Sequence, residues 1–485
     1  MYRIDWQPDD NSPLPLYLQI KTYMKRKIEN GEWPVGSRIP TQRQLAEALS
    51  VNRSTVVTAL QELIADGLLE GDGRRGTKVV NNPWSLLTSR TPPDWDSYVQ
   101  AGWHRPNLPT IQMINETEFQ AGMIRLSTGE PSPSLYPQPL LGEVFGRLAS
   151  RIHTLGYEEP RGLLPLREQL SRHLQALGIL ASPASILIVS GALQALQLIS
   201  LGLVKPGATM ITESPSYLHS LHVFHSAGVR LAGLEMDSEG IRIRGLTELK
   251  PQPNRMLYTI PSFHNPTGIV MSERRRVELL RECERLQLPV IEDEVYRELW
   301  LDAPPPPPLK ARDPSGLVLY LGSVSKTVGP GLRTGWIVGP EPVIRRLADL
   351  KMQTDYGSSS LSQWALTEWF ERAFHEEHLS RVRTVLRQRR DDVLDMLQKH
   401  LSGLAVWNVP AGGFYIWLRI VPPVSMNALF TRALQEGILF NPGTVYDSLG
   451  GPYIRLSYSF ESAERLNFGL RKLAGLIREL SSQPR

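Results

Sequence analysis

The sequence predicts two folded parts of different class. Residues 12–80 read as a small α+β unit, helices followed by a hairpin, and residues 116–485 as a large α/β domain with a smaller α+β subdomain from about residue 340. Three observations predict this. Apolar residues recur at helical spacing up to a glycine-rich turn near residue 75. A stretch rich in Pro, Asn and Ser, residues 81–115, then carries three tryptophans but no sustained period, and reads as a linker. Beyond it, short apolar strands alternate with amphipathic helices, the pattern of a mostly parallel sheet covered by helices. A chain of 485 residues also exceeds a single ordinary domain.

The first helix lies in "LYLQIKTYMKRKIENG", where Leu16, Ile20, Tyr23, Met24 and Ile28 follow helical spacing, and it stops at Gly31. "TQRQLAEALS" is the second, with Thr41 as N-cap. "VNRS" leads into "STVVTALQELIADG", a third helix capped by Ser54 and closed by Gly67. "LLEGDGRRGTKVV" reads as two strands around a glycine-rich turn. Three helices and a hairpin are the order of a winged helix-turn-helix. Arg53, Ser54 and Thr55 fall at the start of the third helix, where a helix in the major groove presents side chains to base edges and phosphates. Arg74, Arg75 and Lys78 at the hairpin tip suit a wing on the backbone or minor groove. Residues 1–82 hold 11 Lys and Arg against 10 Asp and Glu, so the unit is no general polyanion sponge. Its basic residues Arg38, Arg43, Arg53, Arg74, Arg75 and Lys78 gather on the predicted DNA face, while Glu29, Glu32 and Glu62 lie elsewhere.

In the large domain, "SILIVS", "TMIT", "RMLYTI", "LPVIEDE", "LVLYLGS" and "GWIVG" read as sheet strands, and "GFYIWLRI" and "YIRLSYS" as strands of the smaller subdomain. "APPPPPLK" over 303–310 reads as a stiff surface loop. Apolar residues make up 41% and charged residues 21%, enough for a large core, and a net charge of +4 says little about partners by itself. The single cysteine, Cys283, allows no internal disulfide and points to a reducing, cytoplasmic setting; it reads as a helix-packing thiol. "MYRIDWQPDD" lacks a secretory pattern. The 19 uncharged residues 186–204 could span a bilayer by length, but Gly191, two serines and two glutamines interrupt them. They read instead as strand, turn and core helix, with no membrane partner.

"LGSVSKTVGPGLRTGW" (321–336) places an amine and a guanidinium in an apolar, glycine-rich run. Pyridoxal phosphate chemistry needs such parts: a lysine for the aldehyde, an acid facing the ring nitrogen, donors for a dianionic phosphate and an aromatic ring on one face. Lys326 supplies the amine, and Ser323 and Arg333 can converge on the phosphate. Asp293 ends "LPVIEDE", and Tyr296 and Asn265 (in "HNPTG") reach for the phenolic oxygen. "SGALQ" opens a helix whose backbone N–H groups, from Gly191, Ala192 and Leu193, can hold phosphate. Tyr217 is the stacking ring. All lie at predicted strand ends, where open α/β sheets bind ligands. His264 and His219 read as ordinary polar packing.

These stretches, with "STGEPSPSLYP", "YEEPRGLLPLREQL", "DEVY" and "YIRLSYS", resemble the fold-type I aminotransferases of the aspartate aminotransferase superfamily. The resemblance implies that Lys326 holds the cofactor aldehyde, Asp293 pairs with the ring nitrogen, and Arg455 clamps a substrate carboxylate beside Gly129. It implies phosphate contacts from Ser323, Ser325 and Arg333, and from Tyr157 across a dimer. The family often has Ser or Thr and Gln after the phosphate-helix glycine; Ala192 and Leu193 stand there, leaving backbone N–H groups alone. Residues 12–80 closely resemble the GntR-family winged helix, and the combination resembles the MocR/GabR-type regulators. What the resemblance implies is a pyridoxal phosphate-dependent, double-stranded-DNA-binding transcriptional regulator that senses an amine or amino acid, as a head-to-tail homodimer. A working aminotransferase with an accessory DNA module is the alternative, as is a sensor of the cofactor itself.

Overall fold

The computed structural model describes residues 4–71, 76–82, 95–102, 106–152, 156–447 and 450–482. The chain divides into two compact units, Met1–Trp103 and His104–Arg485.

In the first unit, helices Leu16–Glu29, Gln42–Ala48 and Arg53–Ala65 precede the antiparallel strands Leu69–Gly71 and Thr77–Val79. One apolar stripe from each helix, including Ile20, Met24, Leu45, Val56, Leu60 and Leu63, closes a single core with Trp33 and Val79. Thr41 caps the second helix: its side chain accepts from Gln44 N–H and the Gln44 side chain returns to the Thr41 backbone. The third helix is capped two residues earlier than expected. Asn52, with extended backbone, is its N-cap in place of Ser54, so Arg53 becomes its first residue. The unit also begins before residue 12. Trp6 stacks on Tyr23 with ring centroids 4.8 Å apart, and Gln7 donates to the Ala48 carbonyl at 2.7 Å.

The second unit is built on an eight-stranded sheet in the order Ile186–Val189, Gly335–Val338, Val318–Ser323, Val290–Asp293, Arg255–Thr259, Thr209–Ser214, Arg230–Asp237 and Gly240–Ile241. The second and last strands run antiparallel to their neighbours; the other pairings are parallel. The Arg230–Asp237 strand was not legible in the sequence. It lies near the sheet edge and is only partly buried, so its run is interrupted by polar residues. Leu321 pairs with Asp293 across adjacent parallel strands. That register brings the segment carrying Lys326 and the end of the aspartate strand to the same edge of the sheet.

The smaller subdomain has an antiparallel sheet ordered Ala405–Trp407, Tyr415–Ile420, Tyr453–Ser457, Asn441–Pro442, packed by helices Phe374–Leu401, Met426–Gln435 and Ala463–Ser482. It is completed from far upstream. Ile124–Arg125 pairs in parallel with Ile438–Leu439. Helices occupy Trp95–Ala101 and Pro109–Thr117 within the stretch expected as a linker, and Ile111 and Ile114 of the second are buried in the same apolar cluster as Leu126 and Leu470.

The polyproline segment is pinned rather than loose. Arg297 donates to the Pro305 carbonyl and Arg276 to that of Pro307, both at 3.3 Å, and Glu292 accepts from the Leu309 and Lys310 N–H groups. Proline carbonyls have no N–H beside them to pair, so buried arginines take them. Cys283 is buried in the helix Glu273–Leu286, and burial pushes its thiol up to about 12, which leaves it inert. No helix among the described residues is long and apolar enough to cross a membrane.

Candidate cofactor and DNA sites

The segment after Val318–Ser323 turns at once, and Lys326 projects from that turn. Its Nζ donates to the Gly129 carbonyl at 2.6 Å and stands 5.8 Å from the Tyr296 ring centroid. A Cβ on residue 129 would come within 2.8 Å of the Tyr415 hydroxyl, so the bare glycine is what leaves room for that hydroxyl beside the amine. Asp293 is buried at its strand end. Tyr258 donates to its Oδ2 at 2.7 Å and Val295 N–H to its Oδ1 at 3.3 Å. Burial nevertheless pushes the Asp293 carboxyl up to about 6. A buried acid this reluctant to ionise fits a cationic partner above it, which a protonated pyridine nitrogen supplies.

Arg455, on the strand Tyr453–Ser457, is 6% exposed. Nη1 donates to Asn265 Oδ1 at 2.9 Å and Nη2 to the Ser127 carbonyl at 2.6 Å; Nε has no partner. The guanidinium lies 4.2 Å from the Tyr415 ring centroid and 4.9 Å from that of Tyr446. Among the described residues no carboxylate pairs with it. With its oxygen occupied by Arg455, Asn265 is left with its amide N–H groups as donors. Tyr296 is buried, and its hydroxyl lies 2.9 Å from that of Tyr415. Tyr217 follows a cis Ser214–Pro215 bond and is half-buried; burial pushes its phenol up to about 12.

At the turn expected to hold phosphate, Gly191 takes φ 96° and the helix Ala192–Gly202 begins directly after it, with no side-chain cap. Arg333, itself at φ 45°, donates to the Ser190 carbonyl at 2.8 Å, and a Cβ on residue 191 would strike its Nη2 at 2.9 Å. A non-glycine residue held in the left-handed region marks a position fixed by its surroundings. The Ser323 hydroxyl lies 3.0 Å from both the Thr334 carbonyl and the Ser325 hydroxyl, and accepts from Ser325 N–H at 3.1 Å. An arginine, two hydroxyls and the first N–H groups of a helix thus line one turn, a donor set suited to a dianion. Tyr157 is not gathered into this site. It is 82% exposed and meets Tyr356 edge-on, with ring centroids 4.7 Å apart.

Sequence reasoning missed Tyr258, Tyr415, Tyr446 and Ser127, since each lies in a run that reads simply as strand or loop. It also missed a buried pair. Glu213 accepts from Ile260 N–H at 3.1 Å and from the Thr259 hydroxyl, but its Oε2 has no donor and lies 3.8 Å from the equally unpartnered His264 Nε2. Burial pushes Glu213 up to about 7 and His264 down to about 3, so the imidazole is neutral. Among the described residues, His173, Glu298 and His375 stand close enough to hold a metal. Yet Trp369, a donor only, gives its N–H to His375 Nδ1 at 3.1 Å. The ring therefore keeps a proton on Nε2, facing Glu298 at 3.0 Å, and has no lone pair there for an ion.

In the DNA unit, Arg43, Arg53 and Ser54 are exposed and Thr55 is half-buried. Arg53 Nη2 donates to Gln42 Oε1 at 3.0 Å, tying the start of the third helix to the start of the second. Arg74 and Arg75 lie outside the described residues.

Residues 122–471 match the family model "Aminotransferase class I and II", and residues 16–79 match "Bacterial regulatory proteins, gntR family". The chain is 53% identical over 471 residues to the "Uncharacterized HTH-type transcriptional regulator YdfD" of Bacillus subtilis, covering 97% of this chain and 98% of that protein. It is 33% identical over 458 residues to the HTH-type transcriptional regulator NorG of Staphylococcus aureus, covering 91% of this chain and 100% of that protein. Among solved structures it is similar to a Pyrococcus horikoshii kynurenine aminotransferase, at TM-score 0.75 and 28% identity over 80% of this chain and 98% of that one. It is likewise similar to LysN, the α-aminoadipate aminotransferase of Thermus thermophilus, solved with a phosphopyridoxyl-leucine adduct, at TM-score 0.72 and 29% identity over 80% of this chain and 99% of that one.

The chain belongs to the aminotransferase class I and II family and, through its first unit, to the gntR family of regulators. It is a DNA-binding transcriptional regulator of the MocR/GabR type, with a fold-type I, pyridoxal phosphate-dependent effector domain.

Proposed function

We propose that this regulator senses a small molecule carrying both a primary amine and a carboxylate, and converts its capture into altered grip on a paired operator. The observation that carries this reading is Arg455, a buried guanidinium with no carboxylate partner among the described residues, in the same site as Lys326. An uncompensated buried charge costs several kcal/mol by order of magnitude, a cost that an incoming carboxylate removes.

Pyridoxal phosphate, when bound, supplies an aldehyde that captures amines and a ring that draws electrons. Lys326 is the attachment point. Asp293, backed by Tyr258, faces the ring nitrogen and keeps its proton in place. Tyr296 and Asn265 donate to the phenolic oxygen, and Tyr217 covers one face. Ser323, Ser325, Arg333 and the N–H groups of Gly191, Ala192 and Leu193 hold the phosphate. Gly129 accepts the Lys326 amine and borders the carboxylate site. Tyr157, exposed on its own chain, reaches the phosphate of a second copy in a head-to-tail homodimer. Arg43, Arg53, Ser54 and Thr55 read the operator, with Arg74 and Arg75 at the wing, and the protein works in the cytoplasm beside its DNA.

For the ligand to act as a switch it must bind two states unequally; turning 1:99 into 99:1 takes about 5.5 kcal/mol of differential affinity. The test screens amines and amino acids against the purified holo-protein for a change in its visible spectrum, then measures operator affinity with each hit. A ligand carrying both groups is expected to change both. Spectral hits that leave operator affinity unmoved would refute the sensing role. The second reading, a working aminotransferase, is favoured by how much of the related enzymes the chain spans. It predicts fast multiple turnover when an amino acid and a keto acid are supplied together.

A further inference from the structure

We propose that Tyr415 is a positioning residue for the cofactor: its hydroxyl donates to Tyr296 and so strengthens the hydrogen bond that Tyr296 gives the phenolic oxygen. The inference rests on the placing of Tyr296 at that oxygen.

Tyr415 opens the strand Tyr415–Ile420 and is 2% exposed. Three neighbours fix where its hydroxyl stands. The Tyr296 hydroxyl is 2.9 Å away, with the two rings at 70°. Arg455 lies 4.2 Å from its ring centroid and holds the ring plane. Gly129 leaves just enough room, since any Cβ there would press on the hydroxyl at 2.8 Å.

Each phenol has one proton, and between them they share one hydrogen bond. Once Tyr296 turns its proton toward the cofactor, its own oxygen becomes an acceptor, and Tyr415 is the donor beside it. Two donors in series polarise each other, so the outer bond gains from the inner one. Phenylalanine at 415 would keep the volume and the face under Arg455, but would leave the Tyr296 oxygen with one donor fewer. The titratable and charged groups around this pair are Lys326, Arg455, Asp293, Tyr217 and Tyr446. Burial holds Tyr296 well above the usual phenol range, so it stays protonated and acts through its hydrogen bond rather than its charge.

The experiment titrates the visible cofactor band of the full-length, pyridoxal phosphate-loaded chain against pH. It compares wild type, Tyr415→Phe, Tyr296→Phe and the double variant. Donation to the phenolic oxygen draws away negative charge that otherwise holds a proton on the nitrogen joining Lys326 to the cofactor. Weakening it therefore raises the midpoint. Tyr415→Phe is expected to raise it by roughly half a pH unit, less than Tyr296→Phe does. In the Tyr296→Phe background the second substitution is expected to add nothing. Tyr415→Met, which also lacks the hydroxyl, is expected to give the same rise and stands in should the phenylalanine variant lose cofactor. An unchanged midpoint in either variant, or a shift that persists without the Tyr296 hydroxyl, overturns the proposal. A wild-type chain with no cofactor band would instead overturn the placing of Lys326 and Tyr296.

Discussion

Arg53 and Arg455 are both arginines whose sequence context points to an anion, yet they sit in opposite surroundings. Arg53 is exposed at the start of a helix and rests on a neutral partner, Gln42, that it can leave at little cost. Arg455 is locked by an amide, a carbonyl and two aromatic faces, with its Nε–H unmet. The first arrangement suits a long, repetitive polyanion met in water, where many weak and salt-screened contacts add up. The second suits one small anion in one pose, because a buried charge is penalised for misplacement. On the proposed reading the two units divide the work by dielectric: DNA contact outside, ligand discrimination inside.

Four substitutions break or sharpen that contrast. The largest effect belongs to Lys326→Ala, which is expected to abolish the visible cofactor absorbance outright; a persisting band would exclude this lysine as the attachment point. Arg455→Leu is next. It should weaken binding of a carboxylate-bearing amine by about 2–5 kcal/mol, while an amine lacking the carboxylate loses little, as read by spectral titration. Similar losses for both ligands would mean that Arg455 does not meet the carboxylate.

Glu213→Gln isolates the buried acid. Its carboxyl is raised in the fold, so it contributes its penalty above the unfolded value of 4.5, and that penalty grows as pH rises toward about 7. The glutamine side chain is neutral throughout, so the variant's stability gain over wild type should grow by about 2 kcal/mol between roughly pH 5 and pH 8. The neutral His264 is common to both chains and cancels from this difference. A gain that is flat with pH, in denaturant unfolding of the cofactor-free chain, would show that Glu213 titrates normally. The smallest effect is at the surface. Arg53→Ala should cost about 1–3 kcal/mol of operator affinity if it makes a bidentate base contact. Unchanged binding would remove Arg53 from the reading face.

Much of the fold was legible because it is written locally. The strands quoted from the sequence occur in the structure, and Thr41 forms the cap its spacing suggests. The errors also have local causes. Ser54 and Asn52 are both good N-caps two residues apart, and backbone geometry, not composition, chose Asn52. Residues 109–115 looked like linker because the nine-residue helix Pro109–Thr117 cannot display its apolar face without the surface it docks on. The polyproline run looked solvent-borne because nothing nearby announces Arg276 and Arg297 beneath it.

By itself the sequence determined the two classes of domain, the presence of a third helix after "VNRS" and the chemical kinds of group at the strand ends. Those follow from periodicity and residue chemistry, which act over a few neighbours. Only the tertiary structure decided who meets whom. Lys326 finds Gly129 across 197 positions, Arg455 finds Asn265 across 190, and Tyr415 finds Tyr296 across 119. Such pairs are set by strand register and by close packing of two subdomains, which no local propensity encodes.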